Sequence, residues 1–251
     1  MAIKSFILAL QFLTIISVAP GLKATRQELC ASLAFFPLIG LILGAILSAL
    51  FWAASPLLDP EPLAALLTVS LAFLTRSLHL DGLCDTADAI GSGAGRKRAL
   101  EIMKDSAAGS LGVVALVSVL LLKTGALVSL CRFSAWQLII LAPCLSRWSL
   151  NGLASMSSYA RKEQGLGSSF CDTKSRANMA IAALTTLAAS WFLLHFEGML
   201  LFLAATSMSF FSALFFKSRF GGVTGDCLGA HLESVETILL IAGAAMTKWI
   251  G

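Results

Sequence analysis

The constraint that most limits this chain is its run of apolar stretches, each about long enough to cross a bilayer, separated by short charged loops. A helical crossing needs about 20 apolar residues, and no other open structure satisfies its backbone in lipid. Such stretches fall at 29–54, 63–80, 107–130, 134–158, 177–195, 198–216 and 229–250. The fold class expected is therefore all-α: a polytopic integral membrane helical bundle of about seven transmembrane helices plus an N-terminal apolar helix. Only 13% of the residues are charged, about half the share in a soluble domain. With no soluble linker, residues 1–251 read as a single integral membrane domain.

The apolar segment 3–19, broken by Gln11, Thr14 and Ser17, either spans or lies in the interface. It resembles a signal peptide ending at Ser17-Val18-Ala19, but Pro20 disfavours cleavage and the segment reads as retained. Pro37 is expected to kink the first firm span, and Gly40-x-x-x-Gly44 allows close helix approach, within one chain or between copies in a homo-oligomer. The six cysteines have no C-x-x-C spacing and read as reduced and metal-free.

Loop charge orients the chain. The loops at 20–28, 81–106, 159–176 and 217–228 carry nearly all the loop Lys and Arg, whereas those at 55–62, 131–133 and 195–198 carry only Arg132. The sets alternate, as the positive-inside rule requires, which places the first set in the cytoplasm. The net charge of +4 therefore reports topology, not nucleic-acid binding. Arg96-Lys97-Arg98 reads as part of that topological signal. Arg76 and Lys123, near span ends, are expected to snorkel.

Three polar clusters belong to the cytoplasmic set. In His79-Leu80-Asp81-Gly82-Leu83-Cys84-Asp85-Thr86-Ala87-Asp88, the aspartates stand at i, i+4 and i+7 and share one helical face. Their repulsion becomes ligation if a hard divalent cation binds. His79 is either a general base or a hydrogen-bonded interface histidine. The second cluster, Glu101-Ile102-Met103-Lys104-Asp105-Ser106, is followed by Gly109 and Gly112, which are expected on one helical face with Asp105. The third is Arg219-Phe220-Gly221-Gly222-Val223-Thr224-Gly225-Asp226, leading to Glu233 and Glu236. Its glycines free backbone N–H groups to meet phosphate. Arg147 sits within a span, where it either serves function or pairs with a buried acid.

Together these motifs resemble the cobalamin synthase family, the adenosylcobinamide-GDP ribazoletransferases. The likeness runs from Leu10-Gln11-Phe12-Leu13-Thr14 and Phe36-Pro37-Leu38-Ile39-Gly40 through the first two clusters. It continues with Ser146-Arg147-Trp148, Tyr159-Ala160-Arg161, Glu163 to Gly167, and Gly221 to Ala230. Ala89 stands where the family commonly has Gly, Cys84 and Cys227 replace other small residues, and Lys104 replaces the usual Arg. The resemblance implies a Mg²⁺-dependent enzyme of the cell inner membrane, with membrane lipid around it. Its partners are then adenosylcobinamide-GDP and α-ribazole or its 5′-phosphate, its products adenosylcobalamin or its 5′-phosphate and GMP. On this reading Asp81, Asp85, Asp88 and Asp105 bind metal with Asp226 or Glu233, and Lys104, Arg147, Arg219, Gly221, Gly222 and Thr224 hold phosphate. His79 or a metal-bound carboxylate takes the hydroxyl proton. The D-G-x-x-A-R continuation of CDP-alcohol phosphotransferases is missing after Asp81-Gly82. Membrane prenyltransferases lack a counterpart of Arg219–Asp226, and a cation transporter usually places its acids near the midplane.

Overall fold

The computed structural model describes residues 2–105, 107–161, 166–171 and 175–250. Ser106, Glu163, Gln164 and Gly165, which belong to the motifs above, lie outside the described residues. The described chain is helical: α1 (Ala2–Leu13), α2 (Arg26–Ser32), a 3-10 turn (Leu33–Phe35), α3 (Phe36–Ala54), α4 (Pro60–Leu74), α5 (Leu78–Gly91), α6 (Arg96–Ile102), α7 (Ser110–Arg132), α8 (Trp136–Met156), α9 (Leu166–Cys171), α10 (Arg176–Phe220) and α11 (Gly225–Ile250). The described residues contain no strand, only an isolated parallel bridge between Tyr159 and Val223.

Four helices, Arg26–Ala54, Ser110–Arg132, α10 and Gly225–Thr247, are long and apolar enough to cross a membrane. The count is five if α4 and α5, bent by 90° at their junction, form one span. This is fewer than the seven expected, and the two counts differ at α8 and α10. α8 lies at the centre, between α3, α10 and α11, with nearly every residue from Leu138 to Ala154 buried. A helix enclosed by protein can carry polar residues that a lipid-facing one cannot, and Ser146, Arg147, Ser149 and Asn151 interrupt its apolar run. α10 has non-helical angles at His195 (φ 45°, ψ −122°). A Cβ on Gly198 would collide with the Ser190 carbonyl, and residues eight apart meet in this way only where the chain doubles back. α10 is thus a helical hairpin whose turn lies where the sequence places one.

α1 has 12 residues, about 18 Å at 1.5 Å per residue, too short to span. It lies against α2 and α3, with Phe6 edge-on to Phe35 and Phe12 stacked on Phe36. Pro37 falls in the first turn of α3, directly after the 3-10 turn that interrupts the Arg26–Ala54 span, where its missing N–H costs little. Gly40 and Gly44 face α8: a Cβ on Gly44 would stand 2.5 Å from the Ile140 carbonyl oxygen, and one on Gly40 would strike Pro143. That motif serves packing within the chain. All six cysteines are free and buried.

The interior also holds charge. Lys123 of α7 donates to Glu233 at 2.5 Å and to Glu236 at 2.6 Å, both on α11. Arg147 of α8 pairs closely with Glu236, which also accepts from the Ser146 hydroxyl at 3.0 Å. No side chain of the four charged residues is more than 6% exposed. Lys123 therefore does not snorkel; two cations and two anions cancel inside the protein, which is what makes their burial tolerable. Replacing Lys123 with Met should cost about 3–5 kcal/mol, the usual penalty for orphaning a buried charge. Adding Glu233→Gln restores the balance and should recover most of it. Unfolding in graded detergent mixtures measures both.

Candidate functional site

One end of the bundle gathers the polar clusters, and glycine determines how closely they approach. α5 crosses α11 at Gly82 and Gly229: a Cβ on Gly82 would lie 2.8 Å from the Asp226 carbonyl oxygen, and one on Gly229 would lie 3.1 Å from that of His79. The crossing brings Asp81 and Asp226 to a common cavity of about 170 Å³, lined also by Phe12, His79, Phe170 and Gly225. Asp85, one turn beyond Asp81, stands in the electrostatic field of Asp81, Asp226 and Asp88, offset by Arg161.

The five aspartates of the sequence reading do not act alike. Asp88 accepts from the backbone N–H groups of Gly109 (2.7 Å) and Gly112 (2.8 Å). It thereby caps the N-terminus of α7 from a different helix, satisfying donors that the helix cannot satisfy itself. Gly109 and Gly112 are small for this reason, since a Cβ on either would strike the Asp88 carboxylate. Asp105 is exposed, closes a local turn onto the Ala107 N–H at 3.1 Å, and lies in the connection before α7, so it shares no helical face with those glycines. Asp226 pairs with Arg161 at 2.9 Å and accepts from Thr224 at 3.2 Å. Asp81 and Asp85 have no hydrogen-bond or ion-pair partner among the described residues.

The remaining sequence candidates divide in the same way. Arg147 and Glu233 belong to the buried ion network, so the geometry places neither a phosphate contact nor a metal ligand there. Arg219 donates to the carbonyls of Ala94 (2.8 Å) and Ala89 (3.4 Å), occupying acceptors at the end of α5. Gly221, at φ 73°, is the left-handed cap of α10, and its N–H bonds Lys217 while that of Gly222 bonds Phe216. Those N–H groups are therefore spent on a helix end rather than left for phosphate. Thr224 caps α11, accepting from the Cys227 N–H at 3.2 Å. His79 is 3% exposed, and neither ring nitrogen has a hydrogen-bond partner. Lys104 is exposed and lines a second cavity beside α6.

Arg161 is what the residue reading underrated. It lay in a recognised motif, yet only the structure shows it joining Asp226 to that second cavity. Among the described residues no three His, Cys, Asp or Glu side chains form a metal site by themselves. Asp81 and Asp85, adjacent on one face and without partners, still suit a hard cation such as Mg²⁺, which commonly takes one or two carboxylates and completes its shell with phosphate oxygens.

The family model described as cobalamin-5-phosphate synthase matches residues 5–244. A relative from Syntrophobacter fumaroxidans, named adenosylcobinamide-GDP ribazoletransferase, is 40% identical over 242 residues, 95% of this chain and 97% of its own. Relatives of the same name from Pseudomonas fluorescens (40%, covering 95% and 98%) and Geotalea daltonii (36%, covering 97% and 98%) align as fully. No solved structure matches.

The division among the aspartates is testable through stability alone. Asp88→Ala should destabilise the protein by about 1–2 kcal/mol through loss of the α7 cap. Asp81→Ala, which removes an unpaired and exposed like charge, should leave the melting temperature unchanged or raise it. Thermal unfolding in one detergent compares the two.

Proposed function

The chain belongs to the cobalamin-5-phosphate synthase family, and from that premise we propose that it is an adenosylcobinamide-GDP ribazoletransferase. It joins α-ribazole, or its 5′-phosphate, to adenosylcobinamide-GDP, giving adenosylcobalamin, or its 5′-phosphate, and GMP, in the assembly of the nucleotide loop. The observation that carries this reading is the α5–α11 crossing, which sets two unpartnered carboxylates, Asp81 and Asp85, beside the Asp226–Arg161 pair. Anionic oxygens for a cation and a guanidinium for phosphate are the two elements a diphosphate-transfer site needs.

In the reaction a ribose hydroxyl attacks the phosphorus on the cobinamide side of the diphosphate. The bond to the guanylate phosphate breaks, and GMP leaves. Asp81 and Asp85, with Asp226 opposite, are the residues to hold Mg²⁺, which supplies charge neutralisation on the phosphoryl oxygens. Arg161, tethered by Asp226 in a fixed orientation, adds a guanidinium aimed at the same charge. Asp85, flanked by other carboxylates, is the group placed to take the hydroxyl proton. His79, enclosed below it with no partner, serves as a wall of the cavity. Asp88 and Thr224 hold helix ends, and Arg219 holds the α5–α6 connection. They keep the reacting groups in register and do not touch substrate.

We also read the chain as crossing the inner membrane seven times, with α3, α4, α7, α8, the two arms of α10, and α11 as the crossings. The site end then faces the cytoplasm, where the nucleotide substrates are, and lipid surrounds the bundle. The grouping of Lys and Arg at that end supports the orientation.

Asp85→Asn and Asp81→Asn should each lower turnover in membranes by at least about 10²-fold with saturating Mg²⁺, the scale for losing a group that stabilises transition-state charge. Chelation with EDTA should abolish GMP release and added Mg²⁺ should restore it. Near-normal turnover in the variants would remove these carboxylates from the mechanism. For topology, single cysteines at 93 and 58 in a chain whose native cysteines are replaced should react from opposite sides, with only the one at 58 labelled from outside intact cells.

A further inference from the structure

The second cavity, beside α6, has a composition that the reaction above does not account for. It is lined by Arg96, Lys97, Leu100, Glu101, Lys104, Ala160 and Arg161. Its volume, about 720 Å³, lies within the ~300–1,000 Å³ usual for small-molecule sites. Four of the lining residues are cations and one is an acid; Glu101 is paired with Arg98 at 3.2 Å, Arg161 is paired with Asp226, and Lys104 also has an interaction. Among other surface cations, Lys4 has Glu28, Arg132 has Glu61 and Arg219 has two carbonyls, while the side chains of Lys23 and Lys217 have no partner among the described residues. Arg96 and Lys97 have none among the described residues. Like charges gathered round a concavity repel unless an anion fills it, and low-dielectric walls strengthen the field there.

Two placements make this more than a basic patch. Arg96 is seated by glycine: its guanidinium lies against Gly221, where any Cβ would strike it. Arg161 lines this cavity and also pairs with Asp226 in the neighbouring one, so a single guanidinium bridges the cationic cavity and the carboxylates. An anion held by Arg96 and Lys97 is therefore adjacent to the reacting centre.

We propose that this cavity holds the guanylate end of the diphosphate substrate, with Arg96 and Lys97 as the residues that bind its phosphate. The assignment rests on the transferase reading. As the ribose oxygen bonds to the cobinamide-side phosphorus, the bridging oxygen departs on the guanylate phosphate and takes a negative charge, and the hydroxyl proton leaves to a carboxylate. The cationic cavity lies where that charge develops. The cobinamide side of the diphosphate is then left toward the smaller cavity between α5 and α11. A cluster at a membrane edge also attracts anionic lipid headgroups, and the test separates the two sources of phosphate.

The experiment measures GMP binding, and steady-state kinetics, on the full chain in nanodiscs of neutral phosphatidylcholine. Arg96→Gln/Lys97→Gln is compared with wild type and with Lys23→Gln, an exposed charge on a different loop. The double variant should bind GMP at least about tenfold more weakly, as expected for losing hydrogen bonds to a charged group. Its KM for adenosylcobinamide-GDP should rise by a similar factor and its kcat should fall as well, because the charge develops on the phosphate these residues hold, while the KM for α-ribazole does not move. Lys23→Gln should match wild type. Unchanged GMP affinity and KM in the double variant overturn the proposal. So does a loss confined to binding of phosphatidylglycerol vesicles, which makes the cavity a lipid site. If wild type turns over and the double variant behaves identically, the inference falls and the transferase reading stands. If wild type fails to turn over, that reading falls, and the GMP comparison still decides what the cavity binds.

Discussion

The structure depends on a charge balance inside an apolar bundle. Lys123, Arg147, Glu233 and Glu236 are buried, and each would carry a large desolvation penalty alone. Their pairing permits one relative register of α7, α8 and α11. A one-residue rotation of α11 turns its side chains by about 100° and would break every pair. Asp226 lies seven residues before Glu233 on the same helix, about 10 Å along the axis. The interior network therefore also sets where Asp226 faces at the N-terminal end of α11.

That coupling explains a division of labour among the acids. Some are consumed in holding the scaffold: Asp88 on the N-terminus of α7, Glu233 and Glu236 on Lys123 and Arg147. Others, Asp81 and Asp85, stand on the same helix as Asp88 and have no partner. A helix that donates one carboxylate to a cap and presents two others is held in place by the first. Asp226, fixed by Arg161 and Thr224, completes the wall opposite.

Glycine makes the arrangement compact. Gly40 and Gly44 let α3 onto α8, Gly82 and Gly229 let α5 onto α11, and Gly109 and Gly112 admit the Asp88 carboxylate. In each case the residue is defined by the atom a Cβ would strike. Gly221 differs, because its φ of 73° also ends α10. Backbone N–H groups that a glycine-rich loop could offer to phosphate are here used to close a helix.

The all-helical architecture with its apolar spans, the hairpin at His195 and the shared face of Asp81 and Asp85 were legible in the sequence. Each follows from local composition and spacing: apolar length fixes helices in lipid, and i, i+4 spacing fixes a shared face. What the sequence could not decide was which charged residues already had partners. Arg147 and Glu233 look functional in one dimension because an intramembrane charge is costly; their cost is met by residues 89 positions from Arg147 and 110 positions from Glu233. Lys123 looked like a snorkelling lysine for the same reason, and Arg161 like an ordinary loop cation until its bond to Asp226 was seen. Charge and hydropathy are properties of single residues and are written in the chain. Pairing depends on long-range contacts, and only the packing of α5, α7, α8 and α11 determined which charges are neutralised and which are left for a ligand.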